Sequence, residues 1–503
     1  MRKAYIMNHK KFIKSEVSPY LYGSFVEHMG RVVYSGIYEP EHPEADENGF
    51  RKDVLDKVKD MGVTCIRYPG GNFVSAYDWQ DGVGPKEKRP KKREIAWKSI
   101  ETNEFGTDEF MKWIGNLQAE PIFAVNLGTK GIENAVSLLE YCNLPEGTFY
   151  SDMRAENGQK EPYRISRWCL GNEMDGIWQI GHKTAEDYGK LAAQTAHAMK
   201  ALDESIEIVL CGSSSTAMDT YTDWERTALE CAYEFVDYIA LHQYYGGQEL
   251  GTKEFLAQSL DLEQYIKTVI GICDTVKSKK RSKKEINISI DEWGVWEIPG
   301  DDVADSVAAR DWEVAPAFSE QIYTMEDTLL FASMLMAMVR NSDRVKIACQ
   351  SLLTNISAAI MTERNGASWV QPIYYPFQYM SEYGRGKVLE LVSNIPCYKS
   401  SRYGDIPYLD VLPVYQEQKK ELVYFIVSRC EEDMELEICP EGFVLKEVLQ
   451  HVVLEHAELK ATNLGNPENI TPKELADIQL ADEKVELTIH PYSWNMLRIR
   501  VEE

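Results

Sequence analysis

The chain has 503 residues, of which 44% are hydrophobic, and its formal net charge is −26. This length exceeds what one ordinary core accommodates, so it predicts one large domain and a smaller second one. The strong negative charge opposes binding to nucleic acid or to anionic membrane surfaces and favours a neutral partner.

The N-terminal residues include basic side chains, but their apolar run is too short for a signal peptide. No apolar stretch of about 18 residues, as a membrane span requires, is found elsewhere. The ten cysteines are scattered without a Cys-x-x-Cys pair, a pattern typical of buried thiols in a reducing compartment and not of disulfides or a zinc site. A cytoplasmic protein is therefore expected.

Apolar runs alternate with longer amphipathic segments from about residue 20 onwards. The runs are residues 21–27, 64–68, 121–127, 165–173, 206–211, 238–244, 286–292 and 345–353. Between them, segments such as Phe50–Met61 and Ala185–Met199 have the spacing of helices. Eight such units over roughly 340 residues predict an α/β fold, a (β/α)8 TIM barrel over residues 18–384. In that fold the chemistry lies where the strands end.

Beyond residue 384 the pattern changes to short runs with a period near two. These runs are residues 408–414, 422–427, 436–438, 444–454, 485–489 and 494–501. They predict an all-β sandwich domain over residues 385–503. Residues 1–17 include the strand-like Ala4–Met7 and Phe12-Ile13, and we expect them to join the same sheet, so that this domain contains both chain ends.

Two predicted barrel strands lead to a glutamate, Glu173 after the apolar Trp168–Leu170 and Glu292 after isoleucines at alternate positions. A carboxylate at the end of an apolar row is costly to bury unless it opens onto a polar cleft. Glycoside hydrolysis needs two such carboxyls, about 5–5.5 Å apart for retention or roughly 6.5–9.5 Å apart for inversion. A salt bridge or a helix cap explains either glutamate alone equally well, whereas the pair favours hydrolysis.

Other kinds of site are not indicated. Gly70-Gly71-Asn72 follows a strand but lacks the glycine patterns of nucleotide-binding loops. The histidines lack the paired spacing of metal ligands. We therefore expect neither a cofactor nor a metal.

A set of short motifs follows the predicted strands along nearly the whole chain. Its members are Gly23–His28, Ile66–Phe73, Val83–Pro85, Ala96–Ser99, Asn126–Thr129, Trp168–Gly176, Gly181–Thr184, Cys211–Ser214, Leu241–Tyr245, Asp291–Trp293 and Tyr374–Phe377. The set resembles the family-51 glycoside hydrolases, the retaining α-L-arabinofuranosidases. This resemblance implies a barrel with a β-sandwich, arabinose-containing oligosaccharides as substrates, and a homo-oligomer, often a hexamer.

At matching positions the resemblance implies Glu173 as general acid/base and Glu292 as nucleophile. The residues expected to bind substrate around them are Glu27, Arg67, Asn72, Trp97, Asn172, His242, Tyr244 and Trp296. Glu27 and Asn72 match residues that hold the arabinose hydroxyls, and Tyr244 matches one that orients the nucleophile. A loop cap or a core position is the structural alternative for each.

Physical arguments support four of these assignments. Asn172 adjoins the acid/base residue and is placed to bond the hydroxyl beside the anomeric carbon. Arg67, at the end of the second strand, brings a positive charge that can stabilise an ionised nucleophile. Trp97 and Trp296 can form apolar walls for a sugar. The alternatives are a turn amide for Asn172, a buried ion pair for Arg67, and core positions for the two tryptophans.

Three positions depart from the family pattern. Gly294 stands where an asparagine is common, and Ile177 stands where a proline is usual. Leu352 replaces a sugar-contacting glutamine, with Gln350 two residues earlier. Both carboxylates remain, so the departures bear on which sugar is preferred.

The expected function is that of a cytoplasmic, retaining, exo-acting α-L-arabinofuranosidase that releases terminal non-reducing arabinofuranosyl residues from arabinan or arabinoxylan oligosaccharides. A β-D-xyloside as the substrate, or sugar binding without catalysis, are the alternatives. Residues 297–316, with the acidic Pro299–Asp305, follow the second glutamate. A solvated loop is the first interpretation of this segment, and a mobile lid over the cleft is the second.

Overall fold

The computed structural model describes residues 2–297, 303–476, 478–480 and 483–502. Its strands are β1 (Arg2–Glu16), β2 (Tyr20–Phe25), β3 (Cys65–Tyr68), β4 (Lys92–Glu94), β5 (Ser99–Glu101), β6 (Glu120–Val125), β7 (Arg167–Leu170), β8 (Glu207–Cys211), β9 (Tyr238–Tyr245), β10 (Asn287–Val295), β11 (Val345–Gln350), β12 (Ile360–Thr362), β13 (Ser368–Val370), β14 (Lys387–Asn394), β15 (Cys397–Ser400), β16 (Gly404–Pro407), β17 (Leu409–Gln416), β18 (Glu421–Ser428), β19 (Met434–Glu441), β20 (Val444–Leu454), β21 (Lys473–Glu474), β22 (Gln479–Leu480), β23 (Val485–Ile489) and β24 (Trp494–Glu502). Its α-helices are α1 (Lys52–Met61), α2 (Gly71–Val74), α3 (Thr107–Ile114), α4 (Ile132–Asn143), α5 (Phe149–Glu156), α6 (Ala185–Leu202), α7 (Asp223–Ala232), α8 (Thr252–Ala257), α9 (Ser259–Lys280), α10 (Val303–Ala309), α11 (Met325–Arg340) and α12 (Tyr374–Tyr383). Within these ranges no helix is both long enough and apolar enough to cross a membrane.

The predicted (β/α)8 barrel is confirmed. Strands β2, β3, β6, β7, β8, β9, β10 and β11 close into a barrel in that order, and each of the eight predicted runs overlaps one of them. Helix α1 shows why the outer helices form, because Val54, Leu55, Val58 and Met61 are its buried residues. Their spacing of three and four places them on one side of a helix, which packs on the barrel.

The predicted all-β domain, with the N-terminal strand in it, is also confirmed. It is a ten-stranded sheet in the order β21-β20-β24-β18-β17-β14-β1-β19-β23-β22. Strand β1 lies inside this sheet, antiparallel to β14 and parallel to β19. Strand β14 was not among the predicted runs, because only two of its residues are buried and its outer half is exposed. The domain boundaries at residues 17 and 384 remain predictions.

Strand β18 and helix α11 join the sheet to the barrel. All residues of β18 are buried. Its odd-numbered residues from 423 to 427 pack in the core that includes the barrel, whereas residues 422, 424 and 426 pack in the sheet's own core. Helix α11 is buried from Met325 to Val339 and contacts β10, β17 and β18. A helix that is apolar on every side is stable only when it is enclosed in this way.

The acidic segment interpreted above as a loop or lid lies partly outside the described residues, because residues 298–302 are not among them. Of the remainder, Val303–Ala309 forms α10. The following residues lie beside β5, where Ile100 N donates to Glu313 O at 2.8 Å. Whether the segment moves stays a prediction.

Candidate active site

A cavity of about 270 Å³ lies at the carboxyl ends of the barrel strands. Its lining comprises Phe25, Glu27, Met29, Gly71, Asn72, Trp97, Glu173, Tyr244, Glu292, Trp296, Ser351 and Leu352. Most of the predicted site residues are in this set. The other three, Arg67, Asn172 and His242, are buried directly behind it and bond to residues of the lining. Larger grooves on the sheet domain contain no such pair of carboxylates facing a histidine.

Glu173 and Glu292 lie on either side of His242. The Nδ1 atom of His242 is 3.0 Å from Glu173 Oε1 and 3.5 Å from Glu292 Oε2. One carboxylate oxygen of each glutamate and a ring nitrogen of the histidine all lie within 4.8 Å of one another. This close approach fits the separation of about 5–5.5 Å that accompanies a retaining mechanism better than the roughly 6.5–9.5 Å of an inverting one.

The backbone at Glu173 is held in a sparsely populated conformation. Glu173 follows the end of β7 and has a φ of 44°, a left-handed conformation that residues with side chains adopt rarely and that is concentrated at functional sites. Gly176 N donates to Glu173 O at 2.9 Å. Asp175, two residues after Glu173, accepts a bond of 2.9 Å from Ser214 N after β8. The loop after β7 is thus held by a hydrogen bond within itself and by one from the loop after β8.

Glu292 lies inside β10, where pairing with both neighbouring strands changes register. Its Oε1 accepts a bond of 2.7 Å from Arg67 Nη1, and its Oε2 accepts one of 3.0 Å from Tyr244 OH. The Tyr244 oxygen is also 2.7 Å from Ser351 Oγ. Burial, with Glu292 adding to it, raises the pKa of Tyr244 well above 10, so the phenol keeps the proton that it donates to Glu292.

Arg67 is a buried cation beneath the cavity. Besides Glu292, its guanidinium donates to Asn172 Oδ1 at 2.7 Å and forms an ion pair of 3.3 Å with Asp291. Burial opposes the charge, but Asp291 and Glu292 outweigh it and raise the pKa of Arg67 well above its ordinary value. Because an arginine only donates, it fixes the Asn172 amide with Nδ2 towards Asn72 Oδ1, 3.3 Å away.

His242 lies between carboxylates at both of its ring nitrogens. Its Nε2 lies 3.1 Å from Asp291 Oδ1. Burial lowers the pKa of His242, but Glu292, Asp291 and Glu173 outweigh burial and raise that pKa well above 6.5. Glu173, His242 and Glu292 are spaced closely enough to hold a metal ion, but both ring nitrogens of His242 already bond carboxylates, Nδ1 to Glu173 and Nε2 to Asp291. The chemistry of these donors therefore favours an ion-paired site.

Glu27 forms the far wall of the cavity. Its Oε1 accepts bonds of 2.9 Å from Phe73 N and 2.7 Å from Trp97 Nε1. Burial, with the charge of Glu292 adding to it, raises the pKa of Glu27 well above 4.5. Gly71 has a φ of 68°, and a Cβ there would lie 2.1 Å from Glu27 Oε2. Any larger residue at 71 would displace this carboxylate.

Two of the departures from the family pattern, at Leu352 and Gly294, lie at the cavity. Leu352 lines the cavity, whereas Gln350 is fully buried and its Nε2 donates to Ser357 O at 2.8 Å. Gln350 therefore does not replace the missing glutamine. A Cβ at Gly294 would meet Ser351 O at 3.4 Å and the Tyr244 ring at 3.9 Å, which are ordinary contacts, so a Cβ would fit beside Tyr244 without displacing it.

Two functional positions were missed in the sequence. Asp291 pairs with both Arg67 and His242, and its place beside Glu292 was the available signal. Trp178, half exposed, donates from Nε1 to Glu173 Oε2 at 2.8 Å. Its only signal was an aromatic residue soon after the glutamate, because a contact formed within a loop leaves no periodic pattern.

The chain matches two sequence families, the α-L-arabinofuranosidase 1 domain over residues 57–254 and the α-L-arabinofuranosidase C-terminal domain over residues 291–493. It is 49% identical over 500 residues to the intracellular exo-α-(1→5)-L-arabinofuranosidase 1 of Bacillus subtilis, covering 99% of both chains. A solved family-51 α-L-arabinofuranosidase from Bifidobacterium longum, 39% identical, superposes with a TM-score of 0.95 over 99% of this chain and 100% of that one. This chain belongs to the family-51 α-L-arabinofuranosidases.

The family prediction is thereby confirmed, and the enzyme is a glycoside hydrolase. A further α-L-arabinofuranosidase structure, from Thermotoga maritima in complex with arabinose, is 31% identical and superposes with a TM-score of 0.87 over 99% of each chain. Because the similarity extends over the whole length, it includes both the barrel and the ten-stranded sheet of the present chain.

Proposed function

We propose that the enzyme is an exo-acting, retaining α-L-arabinofuranosidase in which Glu292 is the nucleophile and Glu173 the general acid/base. The observation that carries this assignment is the pair of carboxylates with oxygens within 4.8 Å of each other around His242. Family membership supports the substrate class. The remaining polar groups of the cavity support the binding of one sugar.

In the first step a Glu292 oxygen attacks the anomeric carbon, the bond from that carbon to the leaving oxygen breaks, and Glu173 gives its proton to that oxygen. The products are an arabinosyl ester of Glu292 and the oligosaccharide shortened by one sugar, with a free hydroxyl where the bond was broken. In the second step Glu173, now a carboxylate, takes a proton from water, whose oxygen attacks the anomeric carbon and releases Glu292.

The surroundings of the two glutamates suit these different tasks. Glu292 is held by Arg67 and Tyr244, so its attacking oxygen is oriented before substrate arrives. Glu173 lies beside the exposed Ile177 and Trp178, on the side where a leaving sugar can reach it. The Asn172 amide, fixed by Arg67, directs its Nδ2 towards Asn72 of the cavity lining, and a bond from this amide to the sugar would strengthen as charge develops at the anomeric carbon.

Azide rescue tests the role of Glu173. The Glu173→Ala variant is expected to lose at least about a hundredfold in kcat/KM on an arabinan oligosaccharide, the scale of general acid/base catalysis. Azide should restore turnover of nitrophenyl α-L-arabinofuranoside, because a small anion can occupy the vacated space and attack the ester. Glu186→Ala, at an exposed position on α6, is the control. Full activity of Glu173→Ala on the oligosaccharide would overturn the assignment.

We further propose terminal α-L-arabinofuranosyl units of arabinan or arabinoxylan oligosaccharides as the substrate, with the α-(1→5) links of arabinan preferred. The name of the B. subtilis relative supports this linkage. A β-D-xyloside is the alternative, because Leu352 offers an apolar contact where an amide is common in the family. A panel of nitrophenyl glycosides and linkage-defined arabinobioses separates the two, and xyloside cleavage faster than arabinofuranoside cleavage would favour the alternative.

An intracellular homo-oligomer, a hexamer by family resemblance, completes the proposal. The intracellular place is supported by the name of the B. subtilis relative. Assembly is supported by apolar side chains exposed on two paired strands, Tyr5, Phe12 and Ile13 on β1 and Val392 on β14. Native mass spectrometry should then show six copies, and a monomer would contradict the assembly.

A further inference from the structure

Trp97, a wall of the sugar cavity, is carried by a short hairpin outside the barrel. Strands β4 and β5 pair antiparallel, with Glu94 opposite Ser99, and the turn over residues 95–98 between them holds Trp97. A hairpin of this length is not stable in water without other contacts. The position of Trp97 must therefore come from the groups that touch this hairpin.

Glu94 holds the turn from within. Its Oε1 accepts a bond of 2.7 Å from Ala96 N, and its Oε2 accepts one of 2.8 Å from Trp97 N. One buried carboxylate thus binds two successive backbone N–H groups. With the backbone of Trp97 fixed, its indole N–H reaches Glu27 Oε1 at 2.7 Å.

The segment from Val303 to Gln321, which follows β10 in the chain, touches the hairpin from outside. Ile100 N donates to Glu313 O at 2.8 Å, beside a parallel bridge between Ser99 and Glu313. Lys98 Nζ donates to Ala308 O at 2.6 Å. This segment therefore extends the two-stranded hairpin by part of a third strand.

Arg310, in the same segment, binds Trp97 itself. Its Nη2 donates to Trp97 O at 2.9 Å, and its guanidinium carbon lies 3.6 Å from the centre of the Phe318 ring, which in turn contacts the Trp97 indole. The segment is anchored beyond this point by the Arg31–Glu320 ion pair of 2.7 Å. Arg31 belongs to the loop after β2 that also carries the sugar-facing Glu27.

We propose that Arg310 is a positioning residue for the sugar cavity, holding the Trp97 turn from outside so that the indole remains bonded to Glu27. The inference rests on the proposed function, because it takes Trp97 and Glu27 as groups that bind the sugar. Trp97 forms a wall of the cavity and takes no part in bond breaking, so the effect of losing Arg310 falls on substrate affinity. The Val303–Gln321 segment thereby contributes to specificity without contacting the reacting atoms.

Steady-state kinetics on nitrophenyl α-L-arabinofuranoside test the proposal. Arg310→Ala should raise KM about tenfold while kcat stays within about twofold, as expected when a charge-assisted bond that supports binding is lost. Arg310→Lys should recover part of the affinity. Arg364→Ala is the matched control, because Arg364 Nη2 donates to Ala315 O of the same segment at 2.5 Å. In this control KM should not change.

A double-mutant cycle shows whether Arg310 acts through Trp97. Trp97→Phe removes the indole donor, so adding Arg310→Ala to it should change KM by less than about twofold. Additive effects, or an unchanged KM in Arg310→Ala, would overturn the proposal. If Arg310→Ala does not fold, Arg310→Gln decides, since it keeps part of the side chain but removes the guanidinium and should also raise KM; an unchanged KM in that variant would overturn the proposal.

Calorimetric binding of free arabinose to the same variants separates this proposal from the proposed function. Weaker binding in Arg310→Ala than in Arg364→Ala supports the positioning role even if the wild-type enzyme hydrolyses another glycoside faster. Equal binding in these two variants contradicts that role even if the wild type is an efficient arabinofuranosidase.

Discussion

Glu292 is held by one cation and one phenol, and the same cation reaches Asn172. Isolated buried charges are costly, but here Arg67 and His242 face Asp291, Glu292 and Glu173 within ion-pair distance. Burial opposes ionisation of Asp291, yet Arg67 and His242 outweigh it and lower the pKa of Asp291. The groups that orient the nucleophile are therefore charged and in place before a sugar binds.

Removing one oxygen from Tyr244 tests this arrangement. Tyr244→Phe keeps the ring and its edge-on packing against Trp296 but loses the bond to Glu292. Since bonds to charged groups contribute about 1.5–3 kcal/mol, kcat/KM should fall roughly tenfold to a hundredfold. Kinetics on the nitrophenyl substrate measure the effect.

The next residue in the chain provides the control. Tyr245 OH donates to Asp261 Oδ2 at 2.8 Å, away from the cavity lining. Tyr245→Phe should lower the unfolding temperature without changing kcat/KM. Equal losses of activity in the two variants would show that the effect of Tyr244→Phe is not specific to the bond with Glu292, and full activity of Tyr244→Phe would show that Tyr244 acts only through packing.

At the scale of elements, the barrel strands were predictable because each is a short apolar run, and Glu292 was predictable because it follows isoleucines at alternate positions. The positive φ of Glu173 was not predictable, because no local sequence pattern indicates the hydrogen bond from Ser214 N to Asp175 that helps to hold this loop. Strand β14 was not predicted because its buried and exposed residues do not alternate. The Trp97 hairpin depends on contacts with residues more than 200 positions away, which periodicity does not reveal.

The hairpin also carries a carboxyl group that should change stability with pH. Burial raises the pKa of Glu94 to about 7. A carboxyl whose pKa is raised in the folded state contributes stability that is fully present below its unfolded pKa, near 4.3, and is lost as pH rises through 7. The loss is on the order of 3 kcal/mol.

Glu94→Gln, neutral at every pH, should lack this dependence. Relative to the wild type, its unfolding temperature should rise as pH increases from about 4.5 to 8, and calorimetric scans at several pH values measure this. Glu186→Gln, at an exposed position, serves as the control. Parallel pH profiles for wild type and Glu94→Gln would show that Glu94 is ionised in the folded enzyme throughout this range.

On the scale of the whole molecule, the fold class followed from counting runs and noting the change of period near residue 385. How the two parts join did not follow, because a continuous apolar run such as residues 422–427 of β18 has the same sequence pattern whether it faces one core or two. The structure shows that it faces two. Helix α11, enclosed between barrel and sheet, makes the sheet domain part of the packing behind β10, on which Glu292 lies.

The most direct test of the account is to identify the residue that carries the sugar between the two steps. In Glu173→Ala, an activated nitrophenyl α-L-arabinofuranoside needs no acid for the first step, whereas the second step lacks its base, so the ester accumulates. Mass spectrometry of the quenched protein should show one added anhydropentose, and peptide mapping should place it on Glu292. No adduct under turnover conditions, or an adduct on another side chain, would contradict the account.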